Sequence, residues 1–118
     1  MPREYQIRNF TPLQDFIQKY RLGKKPIIPA NELATLAKIV YRCCQVHITF
    51  DRNNPLSLME TLTLAMSIVV RSYEEQVKIL GISRETLRTY EKRVKAKLCV
   101  DNKLQAIANA VSRGIIRV

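Results

Sequence analysis

The strongest structural signal in this chain is the stretch LGISRETLRTY, residues 80–90. Gly81 tolerates a left-handed backbone, Ile82 is an apolar residue that can plug a turn, and Ser83 is a favourable helix N-cap. A short helix that Ser72 opens, residues 73–80, is expected before these three residues, and a longer helix, residues 84–98, is expected after them. The stretch therefore predicts a helix-turn-helix, in which two helices are joined by a short turn that contains glycine.

The expected helix after this turn, residues 84–98, divides into two faces when its residues are placed about 100° apart. Its apolar face carries Leu87, Val94 and Leu98, with Tyr90 at the edge. The opposite face is polar and mostly basic, and carries Arg84, Arg88, Thr89, Lys92 and Lys95. Such a helix can contact guanine edges and phosphates in the major groove while its apolar face packs on the protein. A solvated basic face is the alternative, and the preceding turn favours DNA recognition.

The charge of the whole chain also favours a polyanionic partner. Its 118 residues include 20 Lys and Arg against 10 Asp and Glu, which gives a net charge of +10. This excess points to nucleic acid or to an anionic membrane surface. The longest apolar run, residues 62–70, is far shorter than the ~20 residues that span a bilayer, and the N-terminus lacks the apolar segment of a secretion signal. We therefore expect a cytoplasmic protein that binds nucleic acid and has no membrane partner.

The N-terminal part of the chain predicts two helices. The first has Thr11 as its N-cap and ends at Gly23, and an extended basic connector with two prolines follows at residues 24–29. The second runs from residue 31 or 32 to about residue 46. Residues 51–55, DRNNP, have the composition of a turn and mark the best internal boundary. The short stretch between the second helix and this turn predicts no defined element.

Two more helices are expected in the C-terminal part. Ser57 and Glu60 have the spacing of a capping box at the start of a helix that extends to Val70. Leu58, Leu62, Ala65 and Val69 are its expected inward residues, although the helix is apolar on several sides, which places it at the centre of the fold or against a partner. A last helix starts at Asp101 or Asn102. Its apolar residues have helical spacing and are Leu104, Ile107, Ala108, Val111 and Ile115.

These motifs together resemble the LuxR/GerE family of bacterial transcription regulators. The resemblance rests on LGIS at residues 80–83, followed by residues 84–90, Val94, residues 97–98, Val100, Lys103, residues 106–107 and residues 114–116, without a gap. Leu56, Ser57, Glu60 and Leu64 are similar to the family's opening helix. The resemblance implies an all-α fold, in which a four-helix LuxR/GerE-like helix-turn-helix domain, residues 56–118, is preceded by a two-helix N-terminal extension, residues 1–55.

The chain differs from the family pattern at several positions. The family usually has isoleucine at the position of Gln76 and alanine at the position of Val77, which implies local repacking of the helix before the turn. Tyr90 replaces the common histidine, and Cys99 replaces glycine after the following helix. These differences concern packing inside the domain.

The resemblance also implies how the domain meets DNA. Family domains bind DNA as dimers, insert the third helix of the domain in the major groove, and often pair through the fourth. By position, base contacts are expected from Arg88, Thr89 and Lys92. Phosphate contacts are expected from Ser83, Arg84, Thr86, Lys95, Lys97 and Lys103. The dimer interface is expected at Leu104, Ala108 and Val111.

The favoured function is therefore a sequence-specific transcription regulator that binds double-stranded DNA as a homodimer, located at the bacterial nucleoid. The alternative is an interaction protein that pairs with a larger LuxR-type regulator and blocks its DNA binding. The intact basic row on residues 84–98 argues against this antagonist, while the apolar helix that follows Ser57 leaves it open. A sigma-factor region with a similar turn is a third possibility, which the C-terminal Gly114, Ile115 and Ile116 fit less well.

The N-terminal extension, residues 1–55, is too short for a phosphorylated receiver or a ligand-sensing domain. Three roles remain open for it: a larger dimer interface, additional phosphate contacts, or docking of another protein. The basic residues for such phosphate contacts are Lys19, Arg21, Lys24 and Lys25. Dimerisation is the favoured role.

Catalysis and metal binding are not expected. The three cysteines, Cys43, Cys44 and Cys99, are an odd number without metal-ligand spacing, and we expect reduced, partly buried thiols. His47 has no acidic or cysteine partner at such a spacing, so a structural role is expected. No paired carboxylates, triad or phosphate-binding glycine loop can be assembled. The chain is therefore expected not to be an enzyme, and to need neither a cofactor nor a metal.

Overall fold

The computed structural model describes residues 9–21, 28–70 and 72–117, which form six helices and one small antiparallel sheet. The helices are α1 (Thr11–Arg21), α2 (Ala30–Cys44), α3 (Leu58–Val69), α4 (Tyr73–Leu80), α5 (Arg84–Leu98) and α6 (Lys103–Ser112). The strands are β1 (His47–Ile48) and β2 (Ile116–Arg117). The expectation of a predominantly helical protein is confirmed. Within the described ranges, every helix is too short or too polar to cross a membrane.

Side-chain caps start four of the helices where the sequence predicts them. The Ser57 hydroxyl accepts the N–H of Glu60 at 3.2 Å, and the Glu60 carboxylate accepts the N–H of Ser57 at 3.0 Å, so the capping box of α3 is present. Ser72, Ser83 and Asn102 cap α4, α5 and α6 by accepting the N–H three residues ahead. Each cap satisfies a backbone donor that the helix leaves without an internal acceptor.

Helix α1 starts one residue earlier than the sequence predicts. Thr11 is its first residue and not its N-cap, because the side-chain oxygen of Asn9 accepts the N–H of Thr11 at 3.1 Å. The carbonyl of Phe10 accepts the N–H of Gln14 at 2.9 Å, which places Phe10 at the cap position. The predicted end at Gly23 and most of the basic connector, residues 24–27, lie outside the described residues.

A two-stranded sheet follows α2, where the sequence predicted no defined element. Helix α2 ends at Cys44 because Gln45 adopts a left-handed conformation, with φ of 60°. Strand β1 then pairs with β2 in a register that sets His47 opposite Arg117. Strands of two residues have no periodicity that a sequence can reveal, and their partners are distant in the chain. The sheet therefore joins the end of the N-terminal part of the chain to the end of the C-terminal part.

The predicted turn between β1 and α3 is present at residues 51–55. The carboxylate of Asp51 accepts the N–H of Asn53 at 2.9 Å, and the carbonyl of Asp51 accepts the N–H of Asn54 at 3.1 Å. The side-chain amide of Asn54 also donates to the Thr49 carbonyl at 2.7 Å. The turn is thus tied back to the strand that precedes it.

Helix α3 is the central element of the fold. It packs against α2, α4, α5 and α6, and every residue from Glu60 to Met66 is buried. Of the four predicted inward residues, Leu62 and Ala65 are buried, while Leu58 and Val69 at the two ends are half-buried. Burial on all sides explains why the sequence of this helix is apolar all round. The central position, one of the two expectations for this helix, is confirmed.

Two positions where the chain departs from the LuxR/GerE pattern have a clear structural role. Gln76 is fully buried, and its side-chain amide donates to the Val70 carbonyl at 2.7 Å, beyond the end of α3. Cys99 follows α5 and has a φ of 57°, in the left-handed region that favours glycine. Gln76 therefore ties α4 to the segment that follows α3, and Cys99 adopts a backbone conformation that is more common for glycine.

Candidate nucleic-acid interface

Helix α5 follows directly after the turn at residues 81–83 and has one buried and one exposed face. Gly81 ends α4 with a φ of 67°, in the left-handed conformation that the sequence predicts. The buried face of α5 consists of Leu87, Val94 and Leu98, and Tyr90 is half-buried at its edge. The predicted apolar face is therefore confirmed, and so is the exposure of Arg84, Arg88, Thr89 and Lys92, whereas Lys95, predicted on the same polar face, is half-buried. The buried leucines hold α5 against α3, so its polar face is presented on a rigid support.

The three residues predicted for base contacts all lie on the exposed face of α5. Arg88 and Lys92 are exposed and stand one helical turn apart. Thr89 lies between them and donates its hydroxyl to the Glu85 carbonyl at 3.0 Å. Across the described ranges, neither Arg88 nor Lys92 forms an ion pair. Both cationic groups are therefore available to an anionic or hydrogen-bonding partner.

Arg93 is also exposed on α5, and the residues selected from the sequence omit it. Its position lies about 120° from the centre of the buried face, between Thr89 and Tyr90 around the helix. The sequence alone could have identified Arg93, because it is a cation whose angular position on the helix lies outside the apolar face. Arg93 widens the basic surface beyond the predicted set.

The residues at the N-terminus of α5 form a small polar group. The Ser83 hydroxyl accepts the N–H of Thr86 at 3.1 Å and lies 3.0 Å from the Thr86 hydroxyl. The Arg84 guanidinium lies 3.3 Å from the Glu74 carboxylate of α4, and both side chains are exposed. Such an exposed ion pair contributes only about 0–1 kcal/mol, so Arg84 can exchange it for another anion.

The three lysines predicted to contact phosphates are in different environments. Lys97 lies 2.8 Å from the carboxylate of Glu60, whose side chain is only 3% exposed. Lys103 of α6 lies 3.7 Å from the Glu91 carboxylate. Lys95 is half-buried and forms no ion pair within the described residues. Lys97 and Lys103 thus have internal partners that sequence spacing did not indicate.

Helix α6 exposes the residues predicted for a dimer interface. Leu104 is 79% exposed and Val111 is 42% exposed, and the smaller Ala108 is exposed with them. The three residues lie within about 60° on the helix, so they form one apolar strip. The buried face of α6 is formed by Ala106 and Ala110. We call Leu104, Ala108 and Val111 the α6 strip.

The predicted cysteine and histidine environments are found in part. Cys43 and Cys44 are buried and Cys99 is exposed, and the Cys43 thiol donates to the Asn9 carbonyl at 3.3 Å. His47 is exposed and stacks on Tyr41, with ring centroids 4.2 Å apart. No group of His, Cys, Asp and Glu that could hold a metal occurs in the described part of the chain.

A comparison with protein-family models, curated proteins and solved structures finds no significant match to this chain. The interface is therefore defined by its own geometry. Two helices joined by a short turn carry a basic, hydrogen-bonding face on an apolar support, and the next helix carries an exposed apolar strip.

Proposed function

We propose that this protein is a helix-turn-helix transcription regulator, similar to the LuxR/GerE family, that binds double-stranded DNA through α5. The observation that carries the proposal is the exposed face of α5, where Arg88 and Lys92 have no ion-pair partner among the described residues. A net charge of +10 supports it, because a polyanion is attracted to such a surface. The site of action is the bacterial cytoplasm, at the nucleoid.

Base recognition is assigned to Arg88, Thr89 and Lys92. An arginine can donate two hydrogen bonds to the O6 and N7 atoms of guanine, and lysine binds the same acceptors. The N-terminal part of a recognition helix enters the major groove, and Arg88 lies within the second turn of α5. Thr89 can exchange its hydrogen bond to the Glu85 carbonyl for a base or a phosphate.

Phosphate contacts are assigned first to Ser83, Arg84 and Thr86. They lie at the N-terminus of α5, where free backbone N–H groups and the helix dipole favour an anion. Lys95, Lys97 and Lys103 extend the basic surface along α5 and onto α6, and Arg93 adds an exposed cation. Lys97 and Lys103 share their charge with internal carboxylates, so each is expected to contribute less than a lysine without a partner.

The DNA-bound form is proposed to be a homodimer that pairs through the α6 strip. One recognition helix covers too few base pairs for useful specificity, and two-fold dimers place two such helices about one DNA turn apart. Leu104 and Val111 are two of the three large apolar side chains exposed among the described residues. A second copy of the chain would cover them.

The antagonist that pairs with a larger regulator is less well supported. The apolar sides of α3 are the feature that leaves this alternative open, and these sides are buried inside the chain. The α6 strip is the surface that this alternative retains. The antagonist and the leading proposal therefore use the same partner surface. They differ in whether the protein itself binds DNA.

Selection of bound fragments from a random DNA pool tests the proposal. The purified protein is expected to enrich a two-fold related motif. Arg88→Ala should then weaken binding to this motif by about 1–3 kcal/mol and change binding to random DNA little. Arg42→Ala removes the same charge from an exposed position on α2 and is the matched control.

Three outcomes would contradict it. The first is a pool without any enriched motif. The second is an equal loss for Arg88→Ala on the motif and on random DNA, which would remove Arg88 from base recognition. The third is an effect of Arg42→Ala as large as that of Arg88→Ala, which would reduce the interface to general charge attraction.

A further inference from the structure

A cavity of about 230 Å³ lies between α3, α5 and α6, on the side of α5 that faces the rest of the domain. Its apolar surface consists of Leu64, Val94 and Ala106, one residue from each of these helices. This volume has room for several water-sized groups. The cavity therefore has the size for a small metabolite.

Two lysines and one carboxylate line the same cavity. Lys95 comes from α5 and Lys103 from α6, and Glu91 of α5 is the only acidic residue of the lining. One Glu91 oxygen accepts the hydroxyl of Tyr73, and the other lies 3.7 Å from the Lys103 ammonium. Lys95 has no ion-pair partner within the described residues. The lining thus carries one positive charge that is not balanced, which fits the carboxylate group of a ligand.

Two buried oxygen atoms of the lining residues also lack a hydrogen-bond donor within the described part of the chain. One is the hydroxyl oxygen of Thr63, a residue only 1% exposed, and the other is the second carboxylate oxygen of Glu91. Buried polar atoms without a partner are unfavourable, so a ligand that donates a hydrogen bond there gains free energy. The lining therefore favours a ligand with a hydroxyl or amino group next to its anionic group.

We propose that this cavity binds a short hydroxy or amino carboxylic acid, and that binding weakens the affinity of the protein for DNA. The carboxylate of the ligand pairs with Lys95 and Lys103, its hydroxyl or amino group donates to Thr63 or Glu91, and its short carbon chain contacts Leu64, Val94 and Ala106. The second half of the proposal rests on the proposed function, because Lys95 and Lys103 are among the cations assigned to phosphates.

The expected direction of regulation follows from this competition. A carboxylate that occupies the two lysines withdraws them from the DNA backbone. Each lost phosphate contact lowers the slope of log K against log salt by about 0.9. The ligand is therefore expected to weaken binding to every DNA sequence. In each protomer it should reduce this slope by about 0.9 through Lys95, and by less through Lys103, which shares its charge with Glu91. Base recognition by Arg88 should be unchanged, because Arg88 does not line the cavity.

Methyl NMR of the full chain without DNA tests the site directly. The probes are L-valine and α-hydroxyisovalerate, and isovalerate, which lacks the donor group, is the matched control ligand. The methyl NMR signals of the lining residues should shift, and the shifts should saturate at millimolar concentrations of valine or hydroxyisovalerate. These residues are Thr63, Leu64, Val94 and Ala106. The methyl groups of Leu13, which does not line the cavity, should not shift. Isovalerate should bind at least tenfold more weakly.

Variants distinguish a specific binding site from general electrostatic attraction of the ligand. Lys95→Met is expected to weaken binding of the better probe at least tenfold, while Lys38→Met removes the same charge from an exposed position on α2 and should leave probe binding unchanged. Thr63→Val keeps the shape of the side chain, removes the hydroxyl, and serves as a second variant if Lys95→Met does not fold. Absence of saturable shifts with both probes overturns the proposal, as does an equal effect of Lys95→Met and Lys38→Met.

Salt titrations of DNA binding, with and without the better probe, test the regulatory half. A smaller slope with the probe supports competition for Lys95 and Lys103, and an unchanged slope overturns it. If the chain binds no DNA at all, the proposed function fails, while the methyl shifts still decide whether the cavity binds the acid.

Discussion

Helices α5 and α6 follow one another in the chain and distribute their apolar side chains in opposite ways. Helix α5 buries its large residues, such as Leu87 and Leu98, and exposes charged ones. Helix α6 buries only Ala106 and Ala110 and exposes Leu104 and Val111. The comparison shows that helices of similar amphipathic pattern can be oriented differently by the core that they pack against.

This difference has a simple consequence for binding. The exposed face of α5 is cationic and hydrogen-bonding, which suits a hydrated polyanion. The α6 strip offers apolar area without charge, which suits another protein surface. The buried face of α6, which contacts α3 and α5, is formed by alanines, and the larger Leu104 and Val111 lie on the outside.

The same substitution, made once on each helix, should give the largest difference in stability between α5 and α6. Leu87→Ala on α5 removes a fully buried side chain and is expected to lower the free energy of unfolding by about 2–5 kcal/mol. Leu104→Ala on α6 removes a side chain that is already in water and should change it by less than about 0.5 kcal/mol. Urea denaturation at a concentration where the chain is monomeric measures both. Equal losses would mean that Leu104 is part of the core.

A second pair of substitutions compares the two sides of α5. Lys97→Met leaves the buried Glu60 carboxylate without its cation and should lower the free energy of unfolding by about 1–3 kcal/mol. The value is below that of a fully buried pair because the Lys97 side chain is 40% exposed. Lys92→Met, on the exposed side, should change stability by less than about 0.5 kcal/mol. Thermal and urea unfolding check both variants, and a neutral Lys97→Met would show that the ion pair contributes nothing.

The α6 strip predicts how the proposed dimer can be weakened. Leu104→Asp places a charge in the strip and should raise the dimer dissociation constant at least tenfold, which corresponds to about 1.4 kcal/mol. Ala34→Asp adds the same charge to an exposed position on α2 and should have little effect. Sedimentation equilibrium measures both. A wild-type chain that is monomeric alone and on DNA, or equal effects of the two variants, would remove α6 from the interface.

The smallest expected effect concerns the contact of Tyr73 on α4 with Glu91 on α5, which also pairs with Lys103 on α6. Burial, and then the hydrogen bond to Glu91, raise the pKa of Tyr73 from its ordinary value of 10.0 to about 12. The folded state thus favours the neutral phenol, so this contribution to stability is complete below about pH 10 and is lost as the pH rises through about 12.

Tyr73→Phe lacks this titration. The difference in unfolding free energy between wild type and Tyr73→Phe should therefore shrink, by on the order of 1 kcal/mol, as the pH rises from about 10 to about 12. Urea denaturation at several alkaline pH values measures it, with tyrosinate absorbance to report the titration. A difference that stays constant over this range would show that Tyr73 titrates normally.

The local features of this protein could be predicted from its sequence. Ser57, Ser72 and Ser83 start helices because each side-chain oxygen reaches an N–H only three residues away. Gly81 ends a helix because it adopts a left-handed conformation at little cost. The two faces of α5 follow from helical geometry alone. All of these depend on neighbours within one or two turns of the chain.

Contacts between distant residues were decided only by the tertiary structure. Lys97 meets Glu60 and Lys103 meets Glu91 because α3, α5 and α6 pack together, and neither pair has a spacing that the sequence reveals. The pairing of β1 with β2 and the cavity behind α5 arise in the same way. The physical reason is that hydrogen bonds along a helix depend on sequence separation, whereas ion pairs and cavities between helices depend on how whole faces pack.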